Sequence, residues 1–102
     1  MHVEPSIVQY ILSIITQTRQ DSRLVIGVSP RGSIAMFKGS QALAAVRGRD
    51  FVTPEDVRDL APSVLRKRLL IKSEHTAKGL TEDVAVEDLL ESVEVPPLNE
   101  AV

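Results

Sequence analysis

At 102 residues, 43% of them hydrophobic and 25% charged, the chain fits one globular domain and excludes wholesale disorder. It contains no cysteine, which removes disulfides, zinc–thiolate sites and thiol catalysis, and His2 and His75 stand too far apart in sequence to suggest a metal site. A formal net charge of −2 argues against a general polyanion binder, and with only Tyr10, Phe37 and Phe51 as aromatics the core falls to Ile, Leu, Val and Ala.

The first predicted helix runs from about Pro5 to Arg19. Ile7, Ile11, Ile14, Ile15 and Thr18 recur at helical spacing, Val8 and Leu12 widen that face, and Pro5 suits a first turn where its missing N–H is not needed. The apolar run Ile7–Ile15 is broken by Gln9, Tyr10 and Ser13 and is too short to cross a bilayer. The leader MHVEPS lacks the basic segment of a signal peptide, so with no cysteine the expected location is the cytoplasm. Gln20 to Ser29 reads as a connection in which Leu24, Val25, Ile26 and Val28 are extended and partly buried.

A second helix starts sharply, with Ser29 as N-cap and Pro30 at its first position, and continues through Ile34, Phe37, Leu43 and Val46. Gly39 inside it costs about 1 kcal/mol relative to Ala. Together with Ala42, Ala44 and Ala45 it forms a small-residue face that invites close packing, and Gly48 suits the position just past the helix end. After the extended pair Phe51-Val52, Thr53 caps a third helix with Pro54 at its start and Glu55 and Asp56 in the first turn. Val57, Leu60, Ala61, Val64 and Leu65 form its stripe, and Pro62 is expected to kink or split it. Arg66 to Lys72 leads through Leu69-Leu70-Ile71, which has room to be extended. Ser73–Gly79 reads as a loop, and Thr81 caps a last helix with Val84, Leu89, Leu90 and Val93 on its apolar side.

The expected architecture is therefore all-α, a small orthogonal four-helix array over residues 1–93 with a minimal extended segment and a disordered tail over residues 94–102. Ile11, Ile15, Phe37, Leu43, Val57, Leu60 and Leu65 are expected to share one core.

Chemistry concentrates in Gly27–Ile34. Its glycines have the spacing of a phosphate-binding loop, but Ser33 replaces the lysine and Ile34 the metal-binding hydroxyl, so it is not a Walker motif. Arg31 falls in the first turn of a helix, where a cation is disfavoured by roughly 0.3–1 kcal/mol. An anion facing both the guanidinium and the free N–H groups would reverse that sign; the plain alternative is a solvated arginine that tolerates the penalty. Arg47, Arg49, Arg58, Arg66, Lys67, Arg68 and Lys72 suggest either a nucleic-acid face or helix-end cations paired with Asp50, Glu55, Asp56 and Asp59. The acid pairs Glu55-Asp56 and Glu82-Asp83 follow helix caps, where acids stabilise without catalysis, and no Ser/His/Asp grouping is legible. The residues for an enzyme are not present in this chain alone.

From Val28 to Ile71 the order VSPR, an alanine-rich helix, GRDFV and TPEDV resembles the C-terminal lid domain of MoxR-type AAA+ ATPases. Tyr10 and Thr18-Arg19 match the pattern of the preceding helix, so the resemblance covers roughly residues 3–93; Lys67 departs from it, standing where many relatives carry histidine. The resemblance implies an ATPase parent whose α/β core, bearing the Walker motifs and an arginine finger, binds ATP and Mg²⁺. It implies ring hexamers, chaperone-like remodelling and partners with von Willebrand factor A domains. It matches Arg31 to the sensor-two arginine that reaches the terminal phosphate in cis or in trans, with Ser29 and Pro30 beside it at the nucleotide. The rivals are a stand-alone nucleic-acid module using Arg47–Lys72 and a purely structural interaction domain.

Overall fold

In the computed structural model, which describes residues 1–97, the stripe Ile7, Tyr10, Ile11, Ile14, Ile15 and Thr18 is buried along α1 (Pro5–Gln20). The chain then runs through β1 (Leu24–Ile26), α2 (Pro30–Val46), α3 (Pro54–Leu65), β2 (Leu70–Ile71), α4 (Ser73–Ala77) and α5 (Glu82–Ser92). The fold is all-α apart from the antiparallel pair β1–β2, in which Leu24 faces Ile71 and Ile26 faces Leu70. The extended readings around Leu24–Val28 and Leu69–Ile71 are thus two halves of one small sheet. The expected loop at Ser73–Gly79 is instead the short α4, which makes five helices among the described residues; Leu98 to Val102 of the expected tail lie outside them.

Local chemistry accounts for the helix ends. Pro5, Pro30 and Pro54 each open a helix. Gly48, at φ +79°, ends α2 in a left-handed turn: its N–H donates to Ala45 O and the Arg49 N–H to Ala44 O, which satisfies two terminal carbonyls. Thr81 caps α5 by accepting from the Val84 N–H. Pro62 does not break α3, contrary to expectation. It sits in the last turn, so the one hydrogen bond it removes lies where the helix is about to end, and the Arg66 N–H still donates to Pro62 O.

Packing of α2 departs most from the pattern. Its buried row is Gly32, Met36, Ser40 and Ala44, one residue every fourth position, and not the expected apolar series. Ile34 and Val46 are 56% and 83% exposed, and Phe37 and Leu43 are half-buried. The reason is backbone proximity: an added Cβ at Gly39 would stand 2.6 Å from Leu60 Cδ2, so α2 and α3 approach along small residues. Ala44 belongs to that face, whereas Ala42 and Ala45 are exposed. Of the expected core, Ile11, Ile15, Val57 and Leu65 are buried, Phe37 and Leu60 pack partly buried against them, and Leu43 lies outside the cluster. On α5 the buried positions are Ala85, Val86, Leu89 and Leu90, and Val84 is exposed. Val8 and Leu12 do not widen the core; with Ile11, Ser33, Ile34 and Phe37 they line a shallow apolar groove between α1 and α2.

Candidate functional site

The start of α2 is held by the end of α1. Thr18 is buried, its hydroxyl donates to Ile15 O at 2.6 Å, and its oxygen accepts from the Val28 N–H at 2.9 Å. Arg19 Nε donates to Val28 O at 3.0 Å. Both backbone groups of Val28 are therefore taken by adjacent side chains of one helix. Gly27 makes this approach feasible, since a Cβ there would lie 2.8 Å from Arg19 Cα and from Thr18 O.

Two residues after this anchor the chain turns into α2. Ser29 occupies the N-cap position with extended backbone but makes no side-chain capping bond, and its carbonyl accepts from the Gly32 N–H at 2.9 Å. Pro30 fixes the first turn. Arg31 is exposed, and its side chain makes no ion pair or hydrogen bond among the described residues. A guanidinium without a partner thus stands at the positive end of a 17-residue helix.

The other cations separate from one another. Arg47 and Arg49 are occupied at the α2–α3 junction by the fully buried Asp56: Arg49 donates at 2.6 and 2.7 Å, and Arg47 at 3.0 Å while also reaching Asp59 at 2.9 Å. Asp56 also accepts from the Thr53 N–H at 2.9 Å, and Thr53 Oγ1 accepts from the Asp56 N–H, a reciprocal capping box. Burial pushes the Asp56 carboxyl up, but hydrogen bonds from Arg49 and Thr53 outweigh it and hold the group at about 2. Arg66 lies 3.8 Å from Asp83 on α5. Of the expected acid partners, Asp56 and Asp59 serve; the GRD and TPED segments are a structural clamp.

Arg68 is placed differently. The turn after α3 returns it towards the start of α2, where its Cδ would stand 3.5 Å from a Cβ added at Gly32. The basic run Arg66–Lys72 alone gives no sign of this. No group of three or more His, Asp or Glu among the described residues is placed to hold a metal ion, and no described helix is long and apolar enough to cross a membrane.

The chain is similar to known proteins over most of its length. The family described as the AAA lid domain matches residues 16–89. The chain is an AAA lid domain. It is 38% identical over its full length to YeaC of Bacillus subtilis, covering 32% of that protein. It is 31% identical over 95% of its length to chaperone MoxR1 of Mycobacterium tuberculosis, covering 28% of it. A 39-residue stretch is 51% identical to the magnesium-chelatase subunit ChlI of Nicotiana tabacum, covering 38% of the lid and 9% of that subunit. The lid superposes with a TM-score of 0.87 on the crystal structure of a candidate ATPase from Cytophaga hutchinsonii, at 26% identity, over 93% of the lid and 32% of that chain. The lid spans about a third of the length of the curated relatives it matches over most of its own length.

Proposed function

We propose that this domain is the lid of a ring-forming ATPase that remodels partner proteins, and that Arg31 is its sensor-two arginine. The observation that carries the reading is the unpaired Arg31 guanidinium on the first turn of α2, whose launch point is held by Thr18 and Arg19 through Val28. The residues fit one edge of a nucleotide and not the whole. Arg31 and the first turn suit a terminal phosphate, whereas Ser33 stands where a phosphate-binding lysine would be needed. ATP and Mg²⁺ are accordingly assigned to an ATPase core outside this sequence, with Ser29 and Pro30 lining the lid side. When bound, ATP supplies the phosphoryl group that is transferred. Arg31 supplies a pre-placed donor for charge that redistributes on the terminal phosphate, and a planar fork suited to its oxygens.

The α1–α2 anchor makes the arginine's position depend on the orientation of the whole lid, so lid rotation moves the donor. The exposed apolar groove of Val8, Leu12, Ile34 and Phe37 provides surface for packing against a further domain. The test uses the full-length protein carrying this domain, assembled as a ring, with steady-state ATP turnover and nucleotide affinity measured for Arg31→Ala and Arg31→Lys. Arg31→Ala should lower turnover about 10²–10³-fold, the usual cost of one such donor, with a smaller effect on affinity. Lysine should restore it only in part. Near-normal turnover of Arg31→Ala in intact rings returns Arg31 to the role of a solvated side chain.

A further inference from the structure

We infer that Arg68 is the second cation of the Arg31 site, so that the lid presents a two-armed polyphosphate clamp rather than a single arginine. The inference rests on the lid reading above and adds a residue to it. Its basis is the small sheet. With Leu70 opposite Ile26 in an antiparallel pair, continuing the register two residues sets Arg68 alongside Val28, the residue anchored by Thr18 and Arg19. The side chain follows. Its Cδ would stand 3.5 Å from a Cβ on Gly32, the residue next to Arg31, and Gly32 is itself buried against Val28. The stem of Arg68 therefore crosses the first turn of α2, and its guanidinium begins one bond beyond that crossing.

Among the described residues Arg68 has no acid partner and no side-chain hydrogen bond, whereas Asp21 and Asp88 are engaged by Arg23, Asp56 and Asp59 by Arg47, and Asp83 by Arg66. Arg31 and Arg68 are both exposed and unpaired among the described residues near the positive end of one helix, whose dipole repels each of them. A polyphosphate resolves that repulsion, because its adjacent anionic groups accept two planar forks at once. Gly32 contributes by making room for Val28, whose Cγ1 lies 2.0 Å from where a Cβ would stand, while the Arg68 stem passes at ordinary contact distance. A stem already laid against the helix loses little freedom on binding. Arg68 should thus act mainly on affinity, whereas Arg31 acts mainly on turnover.

The experiment measures the affinity of full-length rings for Mg²⁺ with a non-hydrolysable ATP analogue, and for inorganic tripolyphosphate, alongside turnover. Arg68→Met keeps an apolar stem over Gly32 and removes the charge. It should weaken both ligands by about 10- to 100-fold, the loss of one charge-assisted hydrogen bond. Arg68→Lys should recover part of this, and Arg66→Met, which removes a cation facing Asp83, should stay within about twofold. Arg31→Ala combined with Arg68→Met should depart from the product of the single effects, because both act on one anion. If Arg68→Met binds as wild type does while Arg31→Ala slows turnover, the second cation is refuted and the sensor reading stands. If neither change matters, both fail together. Equal weakening by Arg66→Met and Arg68→Met would reduce Arg68 to general surface charge and also refute the clamp. Unfolding midpoints of the variants, with Arg68→Lys as the conservative check, separate lost binding from lost fold.

Discussion

Asp56 is the residue whose removal should reveal how the α2–α3 junction is held. Its buried carboxylate receives Arg47, Arg49 and the Thr53 N–H, and its pKa is lowered from the ordinary 3.8 to about 2. That difference corresponds to about 2 kcal/mol at neutral pH, and losing the capping box adds about 1 kcal/mol. Asp56→Ala should therefore destabilise the domain by about 3 kcal/mol, or roughly 10–25 °C in midpoint for a domain of this size. The sign follows from the depressed value. The carboxylate's stabilisation is complete above the ordinary aspartate range, begins to fade below about pH 4, and is lost as pH falls through about 2. The stability gap between wild type and Asp56→Ala should thus be largest at pH 7 and shrink to about 1 kcal/mol near pH 2, where mainly the cap remains. Asp56→Asn keeps an acceptor for Thr53 without the charge and should fall between. Urea unfolding followed by circular dichroism at pH 7, 4 and 2 measures all three. A gap that stays constant with pH, or one below about 1 kcal/mol at pH 7, would show that the ion cluster does not hold the junction.

Thr18→Val keeps the shape at the α1 anchor but leaves the buried Val28 N–H without its acceptor; unfolding should show a loss of about 1–3 kcal/mol, and hydrogen exchange at Val28 should accelerate. Leu65→Ala, at a fully buried position, should cost about 2–5 kcal/mol, and Leu60→Ala, half-buried against Gly39, distinctly less; equal losses in thermal melts would contradict the burial assigned to them. Gly32→Ala places a methyl 2.0 Å from Val28 Cγ1 in a filled core, so despite a helix-propensity gain of about 1 kcal/mol it should lower the melting midpoint.

Much of the fold was legible because its signals are local. Proline at the first position of α1, α2 and α3, Thr53 and Thr81 as caps, and Gly48 past the end of α2 act within a few residues. Their effects fall on the adjacent backbone, so the sequence by itself determined where most helices begin and end. It also marked Arg31 as a cation in an unfavourable place, and the order of its short motifs carried the family.

Tertiary structure decided what depends on distant partners. Whether α2 buried its large apolar residues or its row of Gly32, Met36, Ser40 and Ala44 turned on how closely Val28 and Leu60 approach, and helical periodicity does not encode that distance. The roles of Thr18 and Arg19 required the return of Val28 to the end of α1. Arg47, Arg49 and Arg68 look alike in sequence as members of one basic series. Only the folded chain separates them, because Asp56 neutralises the first two in a buried cluster while the β1–β2 pairing carries the third to the open end of α2. A charge's role depends on which opposite charge reaches it, and that distance is set by packing across the chain.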